Sequence, residues 1–296
     1  MSLLNLTNDG FPHILLVLYK EIAKHSDGIP KKVLLDIVAP KDVVQDGKAA
    51  NTLTRWIGLG LFEESPKKSI KLALAPKAIP ETDGEWRNFV PQVVMHQVLI
   101  AANNADLWAT EDNKAADLTR SLAWMLAQNA YTFSYSNMED LERRQLGDGG
   151  HWVMQNGTRR TGLRRWAPFL GFAHDTGELV IDPTKAIHRV LPHILTPGRS
   201  TDAAAFIKDL SSHLPVLDGG TYRMEVERVL AAGSLGERAA HELSTSLSRA
   251  LFCLHKFGVI AFERADDKNS GVLLTGRDGP IRPLWRTVTL IEGMVK

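Results

Sequence analysis

Three times along this chain, a run of apolar residues at helical spacing gives way to a glycine and then to short apolar stretches of strand character. The runs are Asn51-Thr52-Leu53-Thr54-Arg55-Trp56-Ile57, Thr161-Gly162-Leu163-Arg164-Arg165-Trp166-Ala167 and Thr245-Ser246-Leu247-Ser248-Arg249-Ala250-Leu251, which share a Leu-x-Arg core. Gly60, Gly171 and Gly258 follow them, each leading into hydrophobic residues, a polar tip and a second apolar run. A recognition helix, a tight stop and a two-stranded wing make up a winged helix, and repetition within one chain bears on architecture before any single residue does. The pattern predicts a mainly α protein with small β wings, built of tandem winged-helix (helix-turn-helix) units.

The first unit is placed at residues 1–80. Pro12 opens a helix carrying Ile14, Leu15, Leu18 and Ile22, the Ser26-Asp27-Gly28 break ends it, and Pro30 opens a second helix. Residues 48–59 form the third, and the turn Ser65-Pro66-Lys67-Lys68 gives the wing a basic tip. Residues 81–117 read as a wingless helical connector, helical from Glu85 to Ala116. The second unit, residues 118–199, takes helices at 118–131, 138–146 and 157–169, a wing strand at 178–181, and a boundary at Pro192, Pro197 and Gly198. The third, residues 200–296, starts at Ser200 or Thr201 as N-cap and continues through Phe206, Ile207 and Leu210. Its long helix carries Leu243, Leu247 and Leu254, and its wing joins 259–263 to 272–274 across 266–270. The tail, with Trp285, Val288 and Leu290, folds back on a neighbouring unit as a strand or helix.

On a helical wheel the apolar sets Ala49/Leu53/Trp56/Ile57, Leu163/Trp166/Ala167/Leu170 and Leu243/Leu247/Ala250/Leu254 form one buried stripe each. The opposite stripes then face out: Asn51, Thr54 and Arg55; Thr161, Arg164 and Arg165; Thr245, Ser248 and Arg249. Amide, hydroxyl and guanidinium groups at i, i+3, i+4 can reach one groove of duplex DNA together. A polar outer stripe is also what any solvated helix shows, and winged helices also join proteins. Phe252 faces out on the same wheel, which marks a protein interface in the third unit.

Net charge is only +1, so any nucleic-acid site must be local. Between Arg143 and Arg165 stand six arginines (Arg143, Arg144, Arg159, Arg160, Arg164 and Arg165) against one acid, Asp148. Because this run coincides with a recognition helix and the loop before it, it is the strongest nucleic-acid candidate, ahead of the Lys67 and Lys68 wing tip and Arg249. The single Cys253 excludes an internal disulfide and fits a reducing compartment. No apolar run is long enough to span a bilayer. A cytoplasmic protein without membrane contact is expected.

Catalytic signatures are missing. His188 and His193 are separated by Pro192, His13, His96 and His213 sit in apolar helices as core or boundary residues, and Cys253 between Phe252 and Leu254 reads as inert core. Asp112-Asn113-Lys114 and Asp266-Asp267-Lys268 match a nuclease fragment only trivially, and Gly147-Asp148-Gly149-Gly150 lacks the lysine of a phosphate loop. No catalytic residue, metal or cofactor is expected.

The run Leu214-Pro215-Val216-Leu217-Asp218-Gly219-Gly220-Thr221-Tyr222-Arg223, with the helix and wing up to Gly276, resembles the DpdG component of bacterial clusters that insert 7-deazapurines into DNA and restrict unmodified DNA. The resemblance implies a non-enzymatic subunit of a restriction or phage-defence assembly, acting beside helicase or ATPase and nuclease partners. It carries over no site residues. The reading is a subunit that binds double-stranded DNA or serves as an adaptor; the alternative is a homodimeric winged-helix transcription regulator, which would normally show one dominant reading head and a clear dimerisation helix.

Overall fold

The computed structural model describes residues 2–5, 10–40, 47–146, 151–239, 241–265 and 271–293. Asp148 with the Gly147–Gly150 loop, and the 266–270 segment with Asp266 and Lys268, lie outside them. The chain runs α1 (Pro12–Ala23), β1 (Ile29–Pro30), α2 (Lys31–Val38), α3 (Lys48–Gly58), β2 (Phe62–Glu64), β3 (Ser69–Leu72) and α4 (Asp83–Leu99). Next come α5 (Ala116–Ala127), α6 (Met138–Leu146), α7 (Gly157–Leu170), β4 (Ala173–Asp175), β5 (Leu179–Ile181) and α8 (Thr184–Ile194). The last are β6 (Ser200–Asp202), α9 (Ala203–His213), α10 (Thr221–Val229), α11 (Thr245–Lys256), β7 (Ile260–Arg264), β8 (Val272–Gly276) and β9 (Gly279–Leu290). The fold is mainly α with small antiparallel sheets. Among the described residues no helix is long and apolar enough to cross a membrane.

Two compact units divide the chain: Met1–Leu118 with Met154–Phe169, and Thr119–Val153 with Leu170–Lys296. In the first, Pro12 starts α1 where its missing N–H costs nothing, and Leu15, Leu18, Tyr19 and Ile22 fill one buried stripe. Strand β3 lies between β1 and β2, with Ile29 opposite Ile70 and Phe62 opposite Leu72. Tyr19 meets the rings of Phe62, Trp86 and Phe89 at 6.2, 6.3 and 6.1 Å. Thr82 caps α4 in a reciprocal box with Glu85. The equivalent tryptophans of two repeats, Trp56 and Trp166, touch with ring centroids 5.4 Å apart.

In the second unit β9 is the central strand, paired with β6, β7 and β8. Its elements α8, β6, α9, α11, β7 and β9 repeat the order of α1, β1, α2, α3, β2 and β3, and the sheet order β6-β9-β7 repeats β1-β3-β2. Helix α10 and strand β8 are insertions into that plan. Leu53, Leu163 and Leu247 all lie on helices and are fully buried. Gly60, Gly171 and Gly258 stop those helices at φ of 77, 90 and 71°, a left-handed backbone that glycine enters without a Cβ clash.

Several expectations are corrected. The connector helix ends at Leu99, followed by a 3₁₀ turn at Ala101–Asn103 and irregular chain. Pro192 does not break α8 but sits inside its last turn. Residues 200–202 are a strand, and the N-cap is Asp202, whose carboxylate accepts from Ala205 N at 2.9 Å. Among the described residues β7 and β8 do not pair with each other; each pairs with the tail strand β9, which therefore completes the sheet of its own unit. His13, His96 and His213 are exposed, and Cys253 is half-buried rather than core.

Burial pushes the Tyr19 phenol from 10.0 up to about 12. The folded chain thus holds a proton that the unfolded chain releases above pH 10, so this contribution is complete below pH 10 and is lost as pH rises toward 12. Urea unfolding midpoints should fall over that interval, and Tyr19→Phe should fall less steeply; equal slopes would show that the phenol is not the cause.

Candidate nucleic-acid interface

Helix α3 divides cleanly. Ala49, Thr52, Leu53, Arg55 and Trp56 are buried, while Gly47, Asn51, Thr54 and Gly58 form one exposed stripe. A Cβ on Gly58 would meet nothing within 4 Å, so the fold itself makes no use of the missing side chain. Gly162 on α7 differs, since there a Cβ would stand 2.9 Å from Leu4 Cδ2. Beside α3 the β2–β3 turn closes through Lys68 N to Ser65 O at 2.8 Å and Ser65 N to Ser69 O at 2.9 Å. Lys68 takes a left-handed φ of 58° there, and Lys67 and Lys68 are exposed. Lys31 and Lys71 pair with Glu64 and Glu63 at 3.2 and 3.0 Å, so the acids of the hairpin are matched along its strands. Among the described residues no carboxylate pairs with Lys67 or Lys68.

The arginine run separates into different roles. Arg159 is 1% exposed and its Nε lies 3.6 Å from Oδ2 of fully buried Asp117. It also donates to Thr110 O at 2.7 Å and to Gln155. Asp117 in turn accepts from Leu4 N at 2.9 Å and Leu118 N at 2.8 Å. Arg55, 2% exposed, donates to Ser2 O. Neither Arg55 nor Arg159 therefore faces out: each guanidinium satisfies buried acceptors of its own unit, and a wheel that assigns charge to the outside misplaces both.

Thr161 and Arg165 are exposed on α7, and Arg160 and Arg164 are half-buried. Arg165 lies over the Phe11 ring at 5.0 Å and Lys48 lies 5.7 Å from it, so the start of α3 and the middle of α7 meet at one aromatic residue. Asp117, Phe11 and Lys48 were not singled out from sequence; Asp117 looked like the end of a connector, and only its lack of a solvated neighbourhood in the fold reveals it.

In the second unit Arg143 and Arg144 are exposed on α6, with Arg143 paired to Asp140 and Glu139 at 3.2 and 3.4 Å. On α11, Arg249 is half-buried and Phe252 exposed. Thr245 accepts from Ala130 N at 2.9 Å, and Ser248, 1% exposed, accepts from Thr275 N at 2.8 Å. The expected outward trio of α11 is thus largely engaged within its unit.

A family model described as DpdG-like matches residues 1–268. The chain belongs to the DpdG-like family. No curated protein and no solved structure matches it. The decisive match covers the first helix-sheet module, the second as far as β7, and the Leu214–Arg223 run that carries the resemblance; β8 and β9 lie beyond it. In the DpdG-like chain that run is a tight packing element: a Cβ on Gly220 would come within 2.3 Å of Pro215 O, and Arg223, fully buried, pairs with Glu227 at 2.6 Å. Among its described residues no group of three His, Cys, Asp or Glu side chains is placed to hold a metal. Burial raises the Cys253 thiol pKa, which keeps it protonated at neutral pH.

Arg159→Ala leaves the Asp117 carboxylate buried without its cation, which should cost about 3–5 kcal/mol in urea unfolding. At temperatures where the variant is folded, the salt dependence of DNA binding should match that of the parent. A variant as stable as the parent but weak on DNA would return Arg159 to the interface.

Proposed function

We propose that this DpdG-like protein is a non-enzymatic, cytoplasmic subunit of the Dpd restriction system that binds duplex DNA and connects it to protein partners, among them a helicase or ATPase and a nuclease. Family membership supports a defence-system component that works with other proteins. The winged-helix reading rests on the first unit, where helix, strand, helix, helix, strand, strand and the sheet order β1-β3-β2 fit that fold.

The observation that carries DNA binding is the slim exposed stripe of α3 next to a hairpin with two lysines at its tip. The major groove is about 12 Å wide and a helix with side chains about 10–12 Å across, so a helix that enters it needs short residues on the entering face. Gly47, Asn51, Thr54 and Gly58 meet that demand. Gly58 is the last residue of α3, and nothing within 4 Å uses the space beside it; a close external surface gives it a use. The Asn51 amide suits an adenine edge and Thr54 a thymine methyl. The left-handed backbone of Lys68 closes the hairpin, and the exposed Lys67 and Lys68 at its tip suit phosphate contacts.

Anisotropy titrations of duplex DNA across a salt series test this reading. Replacing Lys67 and Lys68 by alanine should flatten the log-affinity against log-salt slope by about 2, one per phosphate contact. Asn51→Ala with Thr54→Ala should leave the slope alone and cost about 1–3 kcal/mol on preferred sequences. If neither pair changes binding, the reading fails.

Purified protein with magnesium or manganese should leave plasmid and single-stranded DNA intact. Cleavage that disappears in Asp112→Ala would establish a nuclease centre at that loop instead.

A further inference from the structure

The second module repeats the connectivity of the first, yet its third helix is not available in the same way. With Leu53 matched to Leu247, Asn51 corresponds to Thr245, Thr54 to Ser248 and Gly58 to Phe252. Asn51 and Thr54 are exposed; Thr245 is half-buried against Ala130, and Ser248 is bonded to Thr275 on the inserted strand β8. Strand β8 is fixed on both sides: it pairs with β9, and Leu273 exchanges backbone bonds with His241 and Leu243, both at 2.9 Å. Ser246 closes the base of the helix by donating to Leu126 O at 2.6 Å. A helix whose reading positions are bonded to its own unit cannot lie in a DNA groove.

What α11 leaves open is its last turn. Phe252 is 41% and Phe257 71% exposed, and Lys256 Nζ lies 5.3 Å over the Phe252 ring. Two exposed phenylalanines so close in sequence are costly in water and belong to the residue types that anchor protein interfaces. Charge selects the partner: α11 carries Arg249 and Lys256 and no carboxylate. We infer that strand β8 has closed the second module to DNA and that the end of α11 docks an acidic segment of a protein partner through Phe252, Lys256 and Phe257. This rests on the winged-helix reading for the equivalence of α3 and α11.

The probe is a fluorescein-labelled peptide of glutamates interspersed with phenylalanine and leucine, titrated with the full chain. Saturable binding should weaken at least about tenfold in Phe252→Glu with Phe257→Glu, in the milder Lys256→Glu, and when glutamine replaces every glutamate of the peptide. Both variants should keep the parent's thermal unfolding, sedimentation and duplex-DNA affinity. Peptide binding unchanged by either variant overturns the inference. So does a loss of DNA affinity in Lys256→Glu, which makes the surface a nucleic-acid contact, or a parent dimer that becomes monomeric in the variants, which makes it a self-association face. If the Asn51 and Thr54 pair leaves DNA binding intact while the peptide results hold, the DNA reading falls and this one stands.

Discussion

A carboxylate taken out of water needs more partners than one residue can supply, and the first unit is arranged around meeting that need at Asp117. Its two oxygens draw in the backbone of Leu4, the start of α5 and the guanidinium of Arg159. Arg159 then reaches on to Thr110 and Gln155. Three stretches distant in sequence, at Leu4, residues 110–118 and residues 155–159, are thereby fixed by one charge. Removing a single partner from such a set is far more damaging than never having built it, because the remaining charge has no route back to water. The exposed stripe of α3 depends on this indirectly: Arg55, anchored to Ser2 in the same N-terminal segment, turns inward and leaves the outer face to short, uncharged groups.

The Leu-x-Arg repeat therefore encodes packing more than recognition. Its leucine is fully buried in all three helices, but its arginine is buried at position 55, exposed over Phe11 at 165 and half-buried at 249. One pattern supports three surfaces: slim and polar on α3, cationic on α7, and closed by β8 on α11.

Much of the fold was legible in the sequence because it is locally encoded. Pro12 at a helix start, leucines at helical spacing and positive-φ glycines after each repeat all act within a few residues of themselves. What was not legible is non-local. The roles of Arg55 and Arg159 depend on acceptors 53 and 49 residues away, and β6 becomes a strand only because β9, 87 residues later in register, offers it an edge. The candidate site divides in the same way: Asn51, Thr54, Lys67 and Lys68 lie where periodicity and turn chemistry put them, while the covering of Ser248 required an inserted strand that the wheel could not see.

The hydrogen bond from Leu4 to Asp117 spans 113 residues, and the α7 segment that neutralises Asp117 emerges only after residues 119–153 of the other unit. During synthesis residues 2–5 leave the ribosome long before their partners and are thus among the last of this unit to find their places. The first unit must wait, with its N-terminal apolar residues Leu3 and Leu4 uncovered, until translation has passed residue 159. Any nascent-chain factor that meets this segment before then meets an unfinished core.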